Sequence, residues 1–284
     1  MADKIWTVGA ILNWTGQYFR DKGLDSPRLD AEVLLSSVLK KDRIFLYVHF
    51  DEPLMAEELA AYKALIKRRV AREPVAYILG HREFMKLDFK VDRSVLVPRP
   101  DTEILVQAVL DRLPEGGQRV ADIGTGSGAI AISLAYYRPE LRVTATDISA
   151  AALAVAGENA AALGVAERVE FAEGNLLEPL TGKYAAVVSN PPYVSKEDME
   201  ALMPEVKNWE PHGALYGGPD GLDFYRQLAK ESGNYLEPGG LIALEVGLGE
   251  AALAAGMLEE NGFSEIEIKR DYAGIERVVM GRRS

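Results

Sequence analysis

Apolar residues along this chain change their spacing twice, and each change marks a new kind of element. From residue 8 to residue 70 the spacing is helical. Val8, Ile11, Leu12, Tyr18 and Phe19 share one face before Gly23, Leu29, Val33, Leu34, Val38 and Leu39 recur after Ser26-Pro27, and Leu59, Tyr62, Leu65, Ile66 and Val70 mark a later helix. From Glu83 to Val97 apolar and polar positions alternate, with Leu87, Phe89 and Val91 on one side, which predicts a β-hairpin. Pro98-Arg99-Pro100 then stiffens the approach to a helix capped by Asp101 or Thr102 and running through Ile104, Leu105, Ala108 and Val109. After residue 117, strand-like and helical runs take turns at 119–123, 128–137, 141–146, 150–163, 168–171, 184–189, 221–235, 240–246 and 250–261. Such alternation predicts an α/β fold, a doubly wound and mainly parallel sheet that binds ligands at the carboxyl ends of its strands. The chain has no internal repeat and no low-complexity segment.

Composition narrows this picture. A chain of 284 residues can bury one large core and one small one. The patterns divide it into a helical domain at 1–80, a hairpin connector at 81–97 and a ligand-binding domain at 98–284. No stretch approaches the ~18 uninterrupted apolar residues of a membrane span. Asp3, Lys4, Asn13 and Gln17 interrupt the first twenty residues and argue against a leader peptide, so a cytoplasmic location is expected. There is no cysteine, hence no disulfide or thiolate site, and His49, His81 and His212 are scattered and read as structural or solvated, so no metal is expected.

Charge is unevenly divided. Residues 1–80 hold 12 Lys/Arg against 11 Asp/Glu, a net of +1, and residues 81–284 hold 20 against 32, a net of −12. An acidic domain attracts a cationic ligand and repels phosphate backbones, which makes duplex DNA a poor partner. The cluster Lys67-Arg68-Arg69 with Arg72 reads first as the solvated face of its helix, and second as a docking contact for an acidic or ribosome-associated partner.

Two segments carry chemistry. Val120-Ala121-Asp122-Ile123-Gly124-Thr125-Gly126-Ser127-Gly128-Ala129-Ile130 reads as strand, tight glycine turn and helix, where the backbone can approach a ligand and the helix start offers unpaired N–H groups. Asp147, ending the run Leu141 to Thr146, stands where a carboxylate can take both hydroxyls of a ribose. Gly124, Gly126 and Ala129 also satisfy a dinucleotide pattern. Gly128 and the acidic Asp122 fit S-adenosylmethionine better, because that ligand lacks a pyrophosphate and carries a sulfonium and an amino group.

The second segment is Asn190-Pro191-Pro192-Tyr193, directly after the apolar run Ala185 to Val188. An amide or exocyclic ring nitrogen attacks a methyl group poorly, because its lone pair is delocalised into a neighbouring π-system. The Asn190 side-chain oxygen and the Pro191 carbonyl can both accept hydrogen bonds from one NH2 group, while the prolines stiffen the turn and bring no competing N–H. Such fixed acceptors favour the nitrogen as positive charge builds on it. Tyr193 can stack on the planar group. A bare Pro-Pro turn capped by Asn190 is the plainer alternative, and the glycine loop is what argues against it.

With these segments the chain resembles the class I release factor N5-glutamine methyltransferases, the PrmC/HemK family. The resemblance also covers Glu73-Pro74-Val75-Ala76-Tyr77-Ile78-Leu79-Gly80, Val97-Pro98-Arg99-Pro100-Asp101-Thr102-Glu103, Glu210-Pro211, Ala214-Leu215-Tyr216-Gly217-Gly218-Pro219-Asp220-Gly221-Leu222 and Asp271-Tyr272-Ala273-Gly274. It implies a Rossmann-like class I S-adenosylmethionine-dependent methyltransferase domain behind a helical substrate-recognition domain, with Ile266-Glu267-Ile268 and Arg277-Val278-Val279-Met280 as the closing antiparallel pair. It implies cofactor contacts from Gly124, Thr125, Gly126, Ser127, Gly128, Asp147, Asn175 and Asn190, and substrate contacts from Asn190, Pro191, Pro192 and Tyr193, with Arg99 and Glu103 in support. The acceptor it implies is the glutamine of the Gly-Gly-Gln motif in class I peptide chain release factors, methylated by direct in-line transfer and by a monomer. A ribosomal-protein glutamine is the nearer alternative, an adenine-N6 in DNA the more distant one. Glu250, where relatives often carry Gln, reads as a surface difference.

Overall fold

The computed structural model describes residues 5–284, so Asp3 and Lys4 lie outside it. The chain divides into two compact units, Met1–Gly80 and His81–Ser284.

The first unit is helical: α1 (Val8–Asp21), α2 (Pro27–Leu39), α3 (Arg43–Val48), α4 (Ala56–Val70) and α5 (Val75–Leu79). The Thr7 and Asp42 side chains accept from the Ala10 and Phe45 N–H groups and cap α1 and α3. Pro27 opens α2 at a position where a missing N–H costs nothing. Phe19, Leu34, Leu35, Leu46 and Tyr62 fill the centre, and the Tyr62 hydroxyl donates to the Ala31 carbonyl at 2.9 Å. Leu29, placed by its spacing on the apolar face of α2, is instead 45% exposed, because Ala31, Leu34 and Leu35 turn inward. Three of the four residues of the basic cluster are engaged within this unit, while Lys67 is exposed. Arg68 makes a fork on Glu73 (2.6 and 2.7 Å), Arg69 pairs with Asp30 at 2.7 Å with both side chains nearly buried, and Arg72 donates to the carbonyls of Lys22 and Gly23.

The second unit opens with the hairpin β1 (His81–Phe84) and β2 (Leu87–Lys90). It is shorter than its alternation suggests and starts earlier. Met85 and Lys86 make a two-residue turn with φ of 49° and 58°, conformations unusual for residues with side chains. Glu103 accepts from the Met85 N–H at 2.7 Å and the Tyr137 hydroxyl donates to its carbonyl, which offsets that strain. Strand pairing stops at Lys90, and the Asp92 side chain accepts from Ser94 N–H to turn the chain away. Val91, Val95 and Val97 are buried without being strand residues.

The remaining elements are α6 (Thr102–Leu110), β3 (Arg119–Ile123), α7 (Ala129–Tyr137), β4 (Arg142–Asp147), α8 (Ala150–Ala162), β5 (Val169–Glu173), β6 (Tyr184–Ser189), α9 (Asp198–Ala201), α10 (Pro204–Lys207), α11 (Asp223–Glu231), β7 (Leu236–Glu245), α12 (Ala251–Glu260), β8 (Phe263–Arg270) and β9 (Glu276–Arg283). The sheet order is β5-β4-β3-β6-β7-β9-β8, with β3 to β7 parallel and the last two pairings antiparallel. Side chains alternate across it: Val120, Ala186 and Val188 face a core with Leu105, Ile132 and Ala160, while Ala121, Val187 and Ile242 face one with Tyr225, Leu228 and Ala254. Helices thus cover both faces, with β6 buried throughout and β3 buried from Val120 on. The order reverses between β3 and β6, so the crevice above their carboxyl ends is the expected ligand position.

Candidate active site

A cavity of about 370 Å³ opens at that crevice. Its floor is drawn from four consecutive strand ends: Gly124 and Gly126 after β3, Asp147 at the end of β4, Asn175 after β5, and Asn190 with Pro192 after β6. The Asp147 carboxylate spans two backbone segments. Its Oδ2 accepts from Gly126 N–H and its Oδ1 from Ser149 N–H, both at 2.9 Å. Each oxygen keeps a further lone pair for a hydroxyl in the cavity.

The other loop residues lie below this floor. Thr125 is buried and donates to Asp122 Oδ2 at 2.6 Å, which also accepts from Ala131 N–H. Ser127 is buried, and its carbonyl accepts from the Asn159 side chain. At Gly128 a Cβ would come within 2.6 Å of Ile132 and 3.1 Å of Ala156 with φ at +81°, so glycine there permits α7 to pack on α8. Asp122 is fully buried, with Oδ1 lacking any hydrogen-bond partner, and burial pushes its carboxyl up to about 7.

The turn after β6 is held from outside. Asn190 Nδ2 donates to Thr102 Oγ1 at 3.2 Å. Neither Asp101 nor Thr102 caps α6 with its side chain, contrary to the sequence expectation, and Thr102 is occupied at Asn190 instead. Pro191 is buried, and Tyr193 packs beside the Ala121 core instead of lining the cavity. Burial, with the Glu245 charge second, raises the Tyr193 phenol to about 12. Val194 pairs with Tyr216 and exchanges hydrogen bonds with Leu215 and Gly217. A Cβ at Gly217 would sit 2.7 Å from both the Pro192 carbonyl oxygen and the Tyr193 Cα, so only glycine lets the 214–222 segment lie against the turn. Arg99 binds both oxygens of buried Glu210 at 2.7 and 2.8 Å, anchoring Pro211, His212 and Ala214 along the cavity wall.

Residues 10–80 match the family described as PrmC N-terminal domain, and residues 100–206 match the methyltransferase small domain. The release factor glutamine methyltransferase of Geobacter sulfurreducens is 48% identical over 280 residues, 98% of each chain. That of Clostridium acetobutylicum is 45% identical, covering 89% of this chain and 90% of its own, and that of Moorella thermoacetica is 46% identical over 92% and 93%. The chain belongs to the release factor glutamine methyltransferase family. Among solved structures, a methyltransferase from Pyrococcus furiosus matches with a TM-score of 0.55 at 19% identity, covering 81% of this chain and all of that one. The hMettl16 catalytic domain matches with 0.57 at 16% identity over 76% and 81% of the two chains. At such identities these two support the methyltransferase fold alone.

Within this family member, several residues sit elsewhere than their sequence reading. Glu250 is not a surface difference: its Oε2 accepts from the Tyr225 hydroxyl at 3.0 Å and from Gly247 N–H at 3.1 Å, and burial raises its carboxyl. Glu103 serves the hairpin turn and lines a separate groove. His212, read as structural or solvated, lines the cavity. Asn175 reaches the cavity with only a long 3.5 Å contact to Glu178. Ser94, Val95, Leu96, Ile148, Leu176 and Phe224 also line it and carry no motif. Ile148 and Leu176, each one position beyond or near a strand end, follow a rule that could have found them. Among the described residues no helix is long and apolar enough to cross a membrane.

Proposed function

We propose that this enzyme methylates N5 of the glutamine in the Gly-Gly-Gln motif of class I peptide chain release factors, as a cytoplasmic monomer, with S-adenosylmethionine as donor. One observation carries the reading: Gly124, Gly126 and Asp147 line the same cavity as Asn190 and Pro192. The residues present fit the donor. The volume falls within the ~300–1,000 Å³ of small-ligand sites, Asp147 retains acceptors for ribose hydroxyls, nothing lies within 4 Å of a Cβ placed at Gly124 or Gly126, and residues 81–284 are strongly acidic. When bound, S-adenosylmethionine supplies a methyl group already activated by its sulfonium.

The chain's own residues then position and polarise. Asn190, with Nδ2 engaged at Thr102, offers Oδ1 to one N–H of the substrate amide, and the Pro191 carbonyl takes the other. The Gly217 contact and the two prolines, Pro191 buried and Pro192 at the cavity, keep both acceptors still as the nitrogen gains positive charge. Tyr193, its proton held firmly, acts as an apolar wall beside the turn and not as a base. Holding two reactants in near-attack geometry can lower the barrier by up to ~7–11 kcal/mol. The helical first unit is the part that recognises the release factor.

The experiment is incubation with labelled S-adenosylmethionine and, separately, a class I release factor, ribosomal protein or duplex DNA, followed by mass spectrometry of the labelled site. Label on the release factor glutamine is expected; label on DNA or ribosomal protein alone overturns the reading. Asn190→Ala should slow single-turnover transfer by ~10²–10³, the scale of a lost preorganised hydrogen bond, with a smaller change in donor affinity.

A further inference from the structure

The Asn190 amide can act as an acceptor only if it faces the right way. An amide flipped by half a turn would present NH2 to the substrate NH2, and nothing in the amide itself prevents this. The fold supplies the constraint. β6 and β7 pair in parallel with Ser189 opposite Leu244, so Asn190 and Glu245 leave neighbouring strand ends side by side. Glu245 is 2% exposed, and its carboxylate faces the side chains of Thr102 and Asn190. Thr102 Oγ1 in turn accepts from Asn190 Nδ2. The amide nitrogen is thus bound at Thr102 on the side where Glu245 lies, which leaves Oδ1 for the cavity.

Given the function proposed above, on which this rests, we propose that Glu245 is a positioning residue: as a carboxylate it fixes the orientation of the Asn190 amide, so that oxygen and not nitrogen meets the substrate glutamine. A carboxylate can only accept, so it tolerates a single orientation of its neighbour. A carboxylic acid or an amide can also donate, and would then hold Asn190 either way round.

The groups around Glu245 are few. Asp101, at the start of α6, repels it, and Arg277, from β9, attracts it while also binding Asp101 and Asp271, each at 3.1 Å. Tyr193 faces it from the turn. Its Oε2 is buried without a hydrogen-bond partner. Burial outweighs the favourable contacts and brings the carboxyl up to about 7, so the orienting form is lost as pH falls through neutrality.

The test uses the full chain with a class I release factor and saturating labelled S-adenosylmethionine, in single turnovers from pH 6 to 8.5. Wild type should slow as pH falls through about 7. Glu245→Gln should be ~10–100-fold slower at pH 8, less than deleting the acceptor outright, with the acidic limb gone and donor affinity within about twofold, since one hydrogen bond turned away from the donor has changed. Glu245→Asp, which still only accepts, should recover part of the rate. Asp122 titrates in the same range but remains in the variant, so only a limb owed to Glu245 disappears. A wild-type rate in Glu245→Gln, an acidic limb that survives the substitution, or no slowing of wild type between pH 8 and 6 overturns the proposal. The last measurement stands even if the variant fails to fold. A wild-type enzyme that labels no glutamine overturns the function itself, and this role with it.

Discussion

Asp147→Asn exchanges one carboxylate oxygen for an NH2 group and separates the loop-tying that the carboxylate performs from the ribose contact we propose for it. In the wild type Oδ2 takes the Gly126 N–H and Oδ1 the Ser149 N–H, each at 2.9 Å. Asparagine has one oxygen and one NH2, so one of the two backbone donors must face another donor. Hydrogen bonds to charged groups contribute about 1.5–3 kcal/mol. Asp147 is only half-buried, which puts the loss near the lower end, about 1–2 kcal/mol. For a unit the size of His81–Ser284 each kcal/mol lowers Tm by about 2–4 °C, so calorimetry should record a fall of about 2–8 °C without any ligand. Titration of the same variant with S-adenosylmethionine should show Kd raised about tenfold or more, the equivalent of 1.4 kcal/mol lost at the ribose. An unchanged Tm would refute the loop-tying geometry. An unchanged Kd with a lowered Tm would refute the ribose contact and leave Asp147 as a brace.

Gly128→Ala should cost about 2–4 kcal/mol, from the left-handed backbone and the crowding of Ile132, while a folded variant keeps its donor Kd within about threefold; a large Kd change at constant Tm would make Gly128 a ligand contact. Arg69→Met strips the partner from nearly buried Asp30 and should destabilise the chain by about 3–5 kcal/mol in urea unfolding, whereas a residue kept for docking would leave the midpoint unmoved. For Asp122, a carboxyl raised from its usual range to about 7 favours the folded state while protonated, and that advantage is lost as pH rises through about 7. Stability of the wild type should therefore decline between pH 5 and 8, by as much as a few kcal/mol from this group, and Asp122→Asn should flatten the slope; parallel slopes would count against it. Glu250→Gln keeps an acceptor for Tyr225 and Gly247 and should change stability by less than about 0.5 kcal/mol, whereas Glu250→Leu, which takes the acceptor from the Tyr225 hydroxyl and leaves the Gly247 N–H only that hydroxyl, should cost about 1–3 kcal/mol in the same denaturation assay.

Legibility in the sequence followed the range of the interaction responsible. β3 and β6 were readable to the residue because buried parallel strands are apolar on both faces, and the signal is local. α3 and α5 were not, since five or six residues give too few turns for a period to show. The hairpin was legible as alternation, but its turn was hidden: Met85-Lys86 carries no glycine or asparagine, and what makes it possible is Glu103 and Tyr137, remote in sequence. The same holds at the site. The glycine loop and the Asn-Pro-Pro-Tyr turn announce themselves by residue type, whereas Asn190 meets Thr102 across 88 positions and Arg99 meets Glu210 across 111. In the basic cluster, Lys67 and Arg68 are exposed as a solvated face requires, whereas the burial of Arg69 was not legible because its partner Asp30 lies 39 positions away.

The adjacency of β3 and β6, with Ile123 opposite Ser189, makes the sheet a ruler for the reaction. The glycine loop and the Asn-Pro-Pro-Tyr turn, to which we assign donor and acceptor, spring from strands about 4.8 Å apart, so their spacing is graduated by backbone hydrogen bonds and not by flexible side chains. Sliding one strand by a residue would swing every side chain beyond it to the opposite face, which leaves that graduation no intermediate settings. Lengthening the segments around the crevice moves neither mark. An enzyme built this way can change the molecule it grips by remodelling its rim, while the gap across which the methyl group must travel is inherited with the sheet.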